Sequence, residues 1–298
     1  MAVGGRNVGG VRYHHVDVFS SVAYSGNSLA VFPDAAGLTG LQMGRVAKEL
    51  RHFESIFLIR DGEGWQARVF DVHEEVRFAG HPVVGAACVL HALAAGHGDG
   101  DGDGDGDWTI HLPDRTVQVS TCRIDTGRFH GVLDPGPVAF TDTATPRIAH
   151  RFGLTEDDLD QGLPAQVVFA GLRYLVLPVR GGALARARIT ADVTADLATL
   201  GAEYAYLLDA AAMEGRHWNN DGLVEDVATG SAAACVAAYL HRHGRLADGQ
   251  AATLHQGRFT GRPSEMTISV AVGEGGTVGV RVGGDVALVG EGRLDVLP

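Results

Sequence analysis

The sequence predicts a mixed α and β protein built from two similar halves, and three observations predict it. Strand-like and helix-like apolar patterns alternate along the chain. Two strings, F-A-G-H-P-V-V-G-A-A-C-V-L from Phe78 and V-A-T-G-S-A-A-A-C-V-A-A-Y-L from Val227, each place a Gly-plus-polar turn before a small-residue apolar helix. Between them lies a link with Pro135, Pro137 and Pro146, read as the join of two domains. A length of 298 residues is enough for one large domain or two smaller ones.

Taken in order, Arg12 to Phe19 is β-rich, the S-G-N around Gly26 is a turn, and Leu29 to Phe32 is a second strand. Thr39 is an N-cap candidate for a helix in which Leu41, Val46, Ala47 and Leu50 form the apolar face, ending near Arg51 or His52. Strands follow at Ser55 to Ile59 and Gln66 to Val72, then a buried helix from Pro82 to His91. The Gly-Asp run from Gly96 to Asp107 has nothing to bury and reads as a mobile loop, with a calcium loop as the alternative. Strands at Thr109 to Leu112, Thr116 to Thr121 and Arg128 to Leu133 complete the first half. The second half has strands at Ala165 to Phe169, Tyr174 to Val179 and Tyr204 to Leu208, and helices near Val193 to Leu200 and Ser231 to Leu240. Short strands fill the rest, the last at Val286 to Val289.

Composition excludes several function classes. The net charge is −12, of which the five aspartates between Gly98 and Asp107 supply −5, and an anionic chain does not attract nucleic-acid phosphates. Of the 24 basic residues 23 are arginine. Lys48, the one lysine, lies in no phosphate-loop, pyridoxal-phosphate or imine-forming motif. Cys88, Cys122 and Cys235 are odd in number and widely spaced, which points to a reducing cytoplasm. The fourteen histidines fall on no recognisable ligand helix, and His241 and His243 suit a helix C-terminus, so no metal site is expected. Met1 to Gly10 lacks the apolar run of a secretory signal, and the longest apolar stretches fall short of the roughly 20 residues of a membrane span. No membrane partner is expected.

Three constellations carry chemistry. In H-F-E-S, Glu54 is either a solvated loop residue or, between Phe53 and Ile56, a partly desolvated carboxylate suited to acid-base work. In A-G-H-P, Gly80 allows close backbone approach, and His81 is a proton carrier, a ligand-binding donor or an N-cap. In E-D-V-A-T-G-S-A, Thr229, Gly230 and Ser231 start a helix whose N–H groups suit a carboxylate or phosphate, with Asp226 just upstream. Two such helix starts facing one cleft would hold a substrate carboxylate without a lysine.

Six strings in order, D-V-F at Asp17, S-G-N-S-L-A-V at Ser25, F-E-S-I-F at Phe53, F-A-G-H-P-V-V-G-A-A at Phe78, E-D-V-A-T-G-S-A-A at Glu225 and Q-G-R-F-T-G-R-P-S at Gln256, resemble the PhzF-like family of phenazine-biosynthesis isomerases. The resemblance implies the α+β diaminopimelate epimerase fold: two similar domains, each a β-barrel-like sheet around a central helix, with the active site in the cleft between them. The domains would be residues 1–133, with the C-terminal strand 285–298 added, and 134–284. It implies Glu54, His81 and Asp226 as catalytic residues, and Gly80, Thr229, Gly230 and Ser231 as binders of a small-molecule carboxylate. Where related epimerases use two thiols, this chain has Ala79 and Asp226, so a two-thiol racemase is disfavoured and Cys88 and Cys235 are read as packing.

Val227 stands where the family commonly has proline, and Trp218 and Asn219 are candidates to shape a specificity pocket. The expected protein is a cytoplasmic homodimer needing no cofactor. It would shift a proton and double bond in an unsaturated, often cyclic, amino or carboxylic acid for natural-product biosynthesis. A C–C hydrolase or lyase using the same site and a non-catalytic binding homologue are the alternatives.

Overall fold

A computed structural model describes residues 10–62, 64–78, 80–95, 104–141 and 147–298, apart from the side chain of residue 274. The N-terminal segment Met1 to Gly9, Ala79, most of the Gly-Asp run and Pro146 lie outside the described residues. Strands β1 (Val11–Val18), β2 (Asn27–Phe32), β3 (Glu54–Asp61), β4 (Gly64–Phe70), β5 (Glu75–Val76), β6 (Gly106–His111), β7 (Thr116–Asp125) and β8 (Arg128–Asp134) make the first half, with helices α1 (Gly40–Leu50) and α2 (Gly80–Ala95). The second half holds β9 (Ala139–Thr141), β10 (Gln166–Phe169), β11 (Arg173–Pro178), β12 (Tyr204–Asp209), β13 (Glu214–Trp218), β14 (Glu225–Asp226), β15 (Ala251–Gln256), β16 (Ser264–Val272) and β17 (Val278–Leu294). Its helices are α3 (Ala183–Arg186), α4 (Thr194–Thr199) and α5 (Gly230–Arg242).

The first half closes on itself. β1 pairs with β2, β2 in parallel with β3, β3 with β4, β4 in parallel with β6, and β6 through β7 to β8. Strand β17 joins β8 back to β1 and completes an eight-stranded barrel. Helix α2 fills the lumen, and all twelve residues from Gly80 to His91 are buried. The lumen explains the helix's small residues: a Cβ on Gly85 would lie 2.6 Å from Leu29 Cδ2 and 2.8 Å from Val18 Cγ2. The second half repeats the scheme, with β9 to β13, β15, β16 and β17 paired in series around buried α5. The α+β class and the barrel-around-helix architecture that the resemblance implies are both present.

Three local expectations are corrected. The C-terminal region is not a set of short strands but the 17-residue β17, whose Val278–Gly283 portion pairs with β16 and whose Val286–Leu294 portion pairs with β1. Glycine makes this crossing possible: a Cβ on Gly284 would sit 2.6 Å from the Phe19 ring, which is fully buried at the junction. On α1, Thr39 forms a capping box with Gln42, but Leu41 is 67% exposed and the helix packs through Met43, Val46 and Ala47. The Gly-Asp run does not stay a loop to its end, since Gly106 and Asp107 enter β6 and pair with Thr121 and Ser120. Among the described residues, no helix is long and apolar enough to cross a membrane.

Candidate active site

Glu54 is the first residue of β3, and parallel pairing of that strand with β2 sets it opposite Leu29. It is not a solvated loop residue; it is 8% exposed. Its Oε2 lies 2.9 Å from His81 Nε2 in an ion-pair contact, and neither of these buried atoms has a hydrogen-bond partner. His81 is no N-cap either, because α2 begins one residue earlier, at Gly80, and the imidazole sits inside the first turn. Burial alone would depress the imidazole pKa; the Glu54 carboxylate beside it, and Asp226 beyond, outweigh burial and hold it above the ordinary value.

Asp226 reaches the same place from the second half. It lies on β14, paired to β13 opposite His217, and is 5% exposed. Its Oδ2 accepts from the Thr229 hydroxyl at 2.5 Å, and its Oδ1 accepts from Asn27 Nδ2 at 2.8 Å. Burial, then the charge of Glu54, pushes the Asp226 carboxyl up to about 6. The turn from Asp226 to Thr229 is fixed from behind by Gln256. Its Nε2 donates to the Asp226 carbonyl at 2.9 Å and to the Thr229 hydroxyl at 3.0 Å, and its Oε1 accepts from the Thr229 N–H at 3.2 Å.

The two helix starts abut. A Cβ on Gly80 would lie 3.2 Å from both Gly230 C and Ser231 N, so glycine at 80 is what lets the α2 and α5 N-termini converge. N–H groups of a first helical turn have no acceptor within their own helix, and each helix adds the positive end of its dipole. The Thr229 hydroxyl, spent on Asp226, makes no side-chain cap to α5. One anion is thereby offered donors from both halves of the molecule.

Around these residues the cleft has about 590 Å³ of empty space, counting the part open to solvent. It is lined by all seven residues that the resemblance assigns to catalysis and carboxylate binding: Glu54, Gly80, His81, Asp226, Thr229, Gly230 and Ser231. Tyr174, whose hydroxyl is 2.9 Å from Ser231 Oγ, stays a neutral phenol because burial raises its pKa well above the usual value. His217 donates from Nδ1 to the Ala205 carbonyl at 2.9 Å, and burial pushes its pKa down to about 4, so it is a neutral ring.

Trp218 does not shape the cleft. Strand alternation turns it into the second-half core, with the Arg216 guanidinium 4.4 Å from its ring, while His217 and Asn219 face the cleft. Cys88 and Cys235 are buried, burial raises both thiols, and Cys235 donates to the Val168 carbonyl at 3.3 Å. Lys48 lies on α1 beside a groove formed with the C-terminal residues, outside the cleft lining. The sequence reading missed Asn27, Gln256, Tyr174 and His217. Asn27 and Gln256 stand inside the strings S-G-N-S-L-A-V and Q-G-R-F-T-G-R-P-S, so their signal was present; Tyr174 and His217 sit on ordinary-looking strands.

The barrel-around-helix halves and their shared cleft define the diaminopimelate epimerase-like fold. The chain belongs to the phenazine biosynthesis-like (PhzC-PhzF) family, whose model matches residues 16–292, and it is a PhzF-like isomerase. A trans-2,3-dihydro-3-hydroxyanthranilate isomerase of Pseudomonas aeruginosa is 31% identical over 95% of this chain and 98% of its own. A solved structure described as a predicted epimerase, also from Pseudomonas aeruginosa, is 44% identical over 96% of this chain and 99% of its own, with a TM-score of 0.87. A hydroxyproline epimerase of Agrobacterium vitis shares the fold alone, at 13% identity over 98% and 94% of the two chains and a TM-score of 0.58.

Proposed function

We propose that the chain is an acid-base isomerase, working without a cofactor, that moves a proton and a double bond within a small unsaturated carboxylic or amino acid. The observation that carries this reading is the Glu54–His81 contact of 2.9 Å beside two converging helix N-termini. In this reading the substrate carboxylate rests on N–H groups at Gly80, Gly230 and Ser231. Glu54 removes a proton from a carbon made acidic by conjugation to that carboxylate. The resulting charge spreads onto oxygens that already face two positive helix ends, where preorganised donors have the most leverage. The protonated Glu54 exchanges its proton with solvent and then delivers one to a different carbon of the same conjugated system. His81 faces Glu54 through Nε2, and Glu54, with Asp226 beyond it held by Asn27 and Thr229, raises the imidazole pKa and favours its charged form.

The curated relative named above supports a cyclic unsaturated amino acid as the substrate type and natural-product biosynthesis as the setting. The reading takes the working form as a homodimer. The test is incubation of the full chain with trans-2,3-dihydro-3-hydroxyanthranilate and with simpler cyclic dienoic acids in D₂O, followed by mass and NMR analysis. The expected product is an isomer with deuterium at a carbon that carried no exchangeable hydrogen. Addition of water across two fragments would replace this reading with a C–C hydrolase, and no conversion or exchange in any of these acids would overturn it.

A further inference from the structure

His217 lines the cleft but has no part in the proposed proton transfer. It is 6% exposed and sits on β13 opposite Asp226, next to Trp218, which turns into the second-half core. The Tyr174 and Tyr204 rings stand at 73° and 89° to its plane, with centroids 5.5 and 5.7 Å away. These edge contacts fix how the imidazole faces the cleft.

The two ring nitrogens have different surroundings. Nδ1 is 2.9 Å from the Ala205 carbonyl, which can only accept, so in the neutral ring the hydrogen is on Nδ1 and Nε2 carries a lone pair. Burial keeps the ring neutral, with its pKa down to about 4, and among the described residues no carboxylate pairs with it as Glu54 pairs with His81. None of the described residues bonds Nε2, on the side of the ring away from Ala205.

A structural role accounts for the Ala205 bond and leaves the bare Nε2 unexplained. A buried acceptor is unfavourable unless something supplies it with a hydrogen, and here only the cleft can. Two acceptors repel, so a lone pair does not hold a carboxylate; it takes an O–H or N–H. The cleft is therefore polarised. Donors converge where the α2 and α5 starts meet, and a neutral acceptor waits on the β13 wall. An acid that carries a second, donating group can satisfy both at once, and an acid without one leaves Nε2 unpaired.

We infer that His217 is a specificity-determining residue, whose Nε2 accepts a hydrogen bond from a hydroxyl or amino group that the substrate carries in addition to its carboxylate. The inference rests on the proposed reading of the cleft as a site for a small carboxylic or amino acid, and it adds which second group that acid has.

The test uses four planar acids that do not isomerise, benzoate, 3-hydroxybenzoate, anthranilate and 3-hydroxyanthranilate, which differ only in a hydroxyl and an amino group. Calorimetry measures their binding to the full chain in wild type, His217→Phe and His217→Gln. Wild type is expected to bind at least one donor-bearing acid roughly 3- to 10-fold more tightly than benzoate, the range one net hydrogen bond supplies. A gain with 3-hydroxybenzoate assigns the hydroxyl, and a gain with anthranilate assigns the amine. His217→Phe should lose the preference and keep the benzoate affinity. His217→Gln, whose amide can donate to the Ala205 carbonyl and turn its oxygen to the cleft, should retain part of it. In ¹⁵N-histidine-labelled wild type, the Nε2 signal of His217, identified by its loss in whichever variant folds, should move upfield with the preferred acid and not with benzoate. Equal binding of the four acids to wild type, a His217→Phe loss shared equally by benzoate, or an unmoved Nε2 signal would overturn the role of His217 and leave the carboxylate reading standing. Failure of all four acids to bind wild type would overturn that reading and this inference with it.

Discussion

At the cleft, three ionisable side chains, Glu54, His81 and Asp226, are packed together with little solvent, and the charges of their neighbours shift His81 and Asp226. Asp226, pushed up to about 6, ionises late; His81, held above its ordinary value by Glu54, deprotonates late. If turnover requires the ionised Asp226 and the charged His81, kcat/KM rises with pH through about 6 and falls again as the pH passes the raised His81 value. Asp226→Asn removes the titrating group, so the rising limb near pH 6 is expected to vanish, with activity lower at the optimum. A pH-rate profile of that variant matching wild type would exclude Asp226 from the titration. At this scale the sequence was most informative about residues whose chemistry is visible in their type. A Glu before an apolar strand and a His after glycine were both legible, and the structure puts them in contact. The burial of Glu54 was not legible, because it comes from strand pairing with β2 and from a helix that lies 26 residues further on.

Among the elements, α2 shows how tightly the site is tied to the packing beneath it. Its glycines and alanines read in the sequence as an apolar helix; that the helix threads a closed barrel was implied only by the family resemblance. The lumen leaves no room at Gly85, where even a Cβ meets Leu29 and Val18 within 2.8 Å. Gly85→Val is therefore expected to cost roughly 1–3 kcal/mol by overpacking and to lower Tm by several degrees. A Tm equal to wild type would show that the barrel yields more readily than its geometry implies. Strand β17 was illegible for the opposite reason: its glycines break the apolar pattern that marks a strand. Those glycines are what let one strand pass under Phe19 and serve both halves.

For the molecule as a whole, the halves share continuous structure. Strand β17 runs through both, and one hydrophobic cluster holds α2 residues such as Val84 together with α5 residues such as Val236. The cleft is accordingly set by the relation of the two barrels. The histidines give this fold a defined acid limit. Six of the described ones, His14, His15, His52, His91, His217 and His243, have pKa values lowered by burial, with His52 and His217 down to about 4. An imidazole neutral in the fold takes up a proton on unfolding, so its contribution is fully present above the unfolded value of 6.5 and is lost as pH falls towards the folded value. His81 acts in the opposite sense, and Asp17 and Asp226, raised by burial, do so at lower pH. Tm is expected to fall between pH 7.5 and 5.5, as calorimetry would read; a Tm that rises over that interval would contradict the balance.

The proposed role of Glu54, carrying the proton between carbons, is tested by the turnover of Glu54→Gln in the D₂O isomerisation assay. Glutamine preserves the shape of the site and cannot accept the proton. A loss of turnover of at least about 10²-fold is expected, within the usual range for a general acid-base group, with deuterium incorporation lost in step and Tm near that of wild type. Wild-type turnover and deuterium incorporation in folded Glu54→Gln would contradict it.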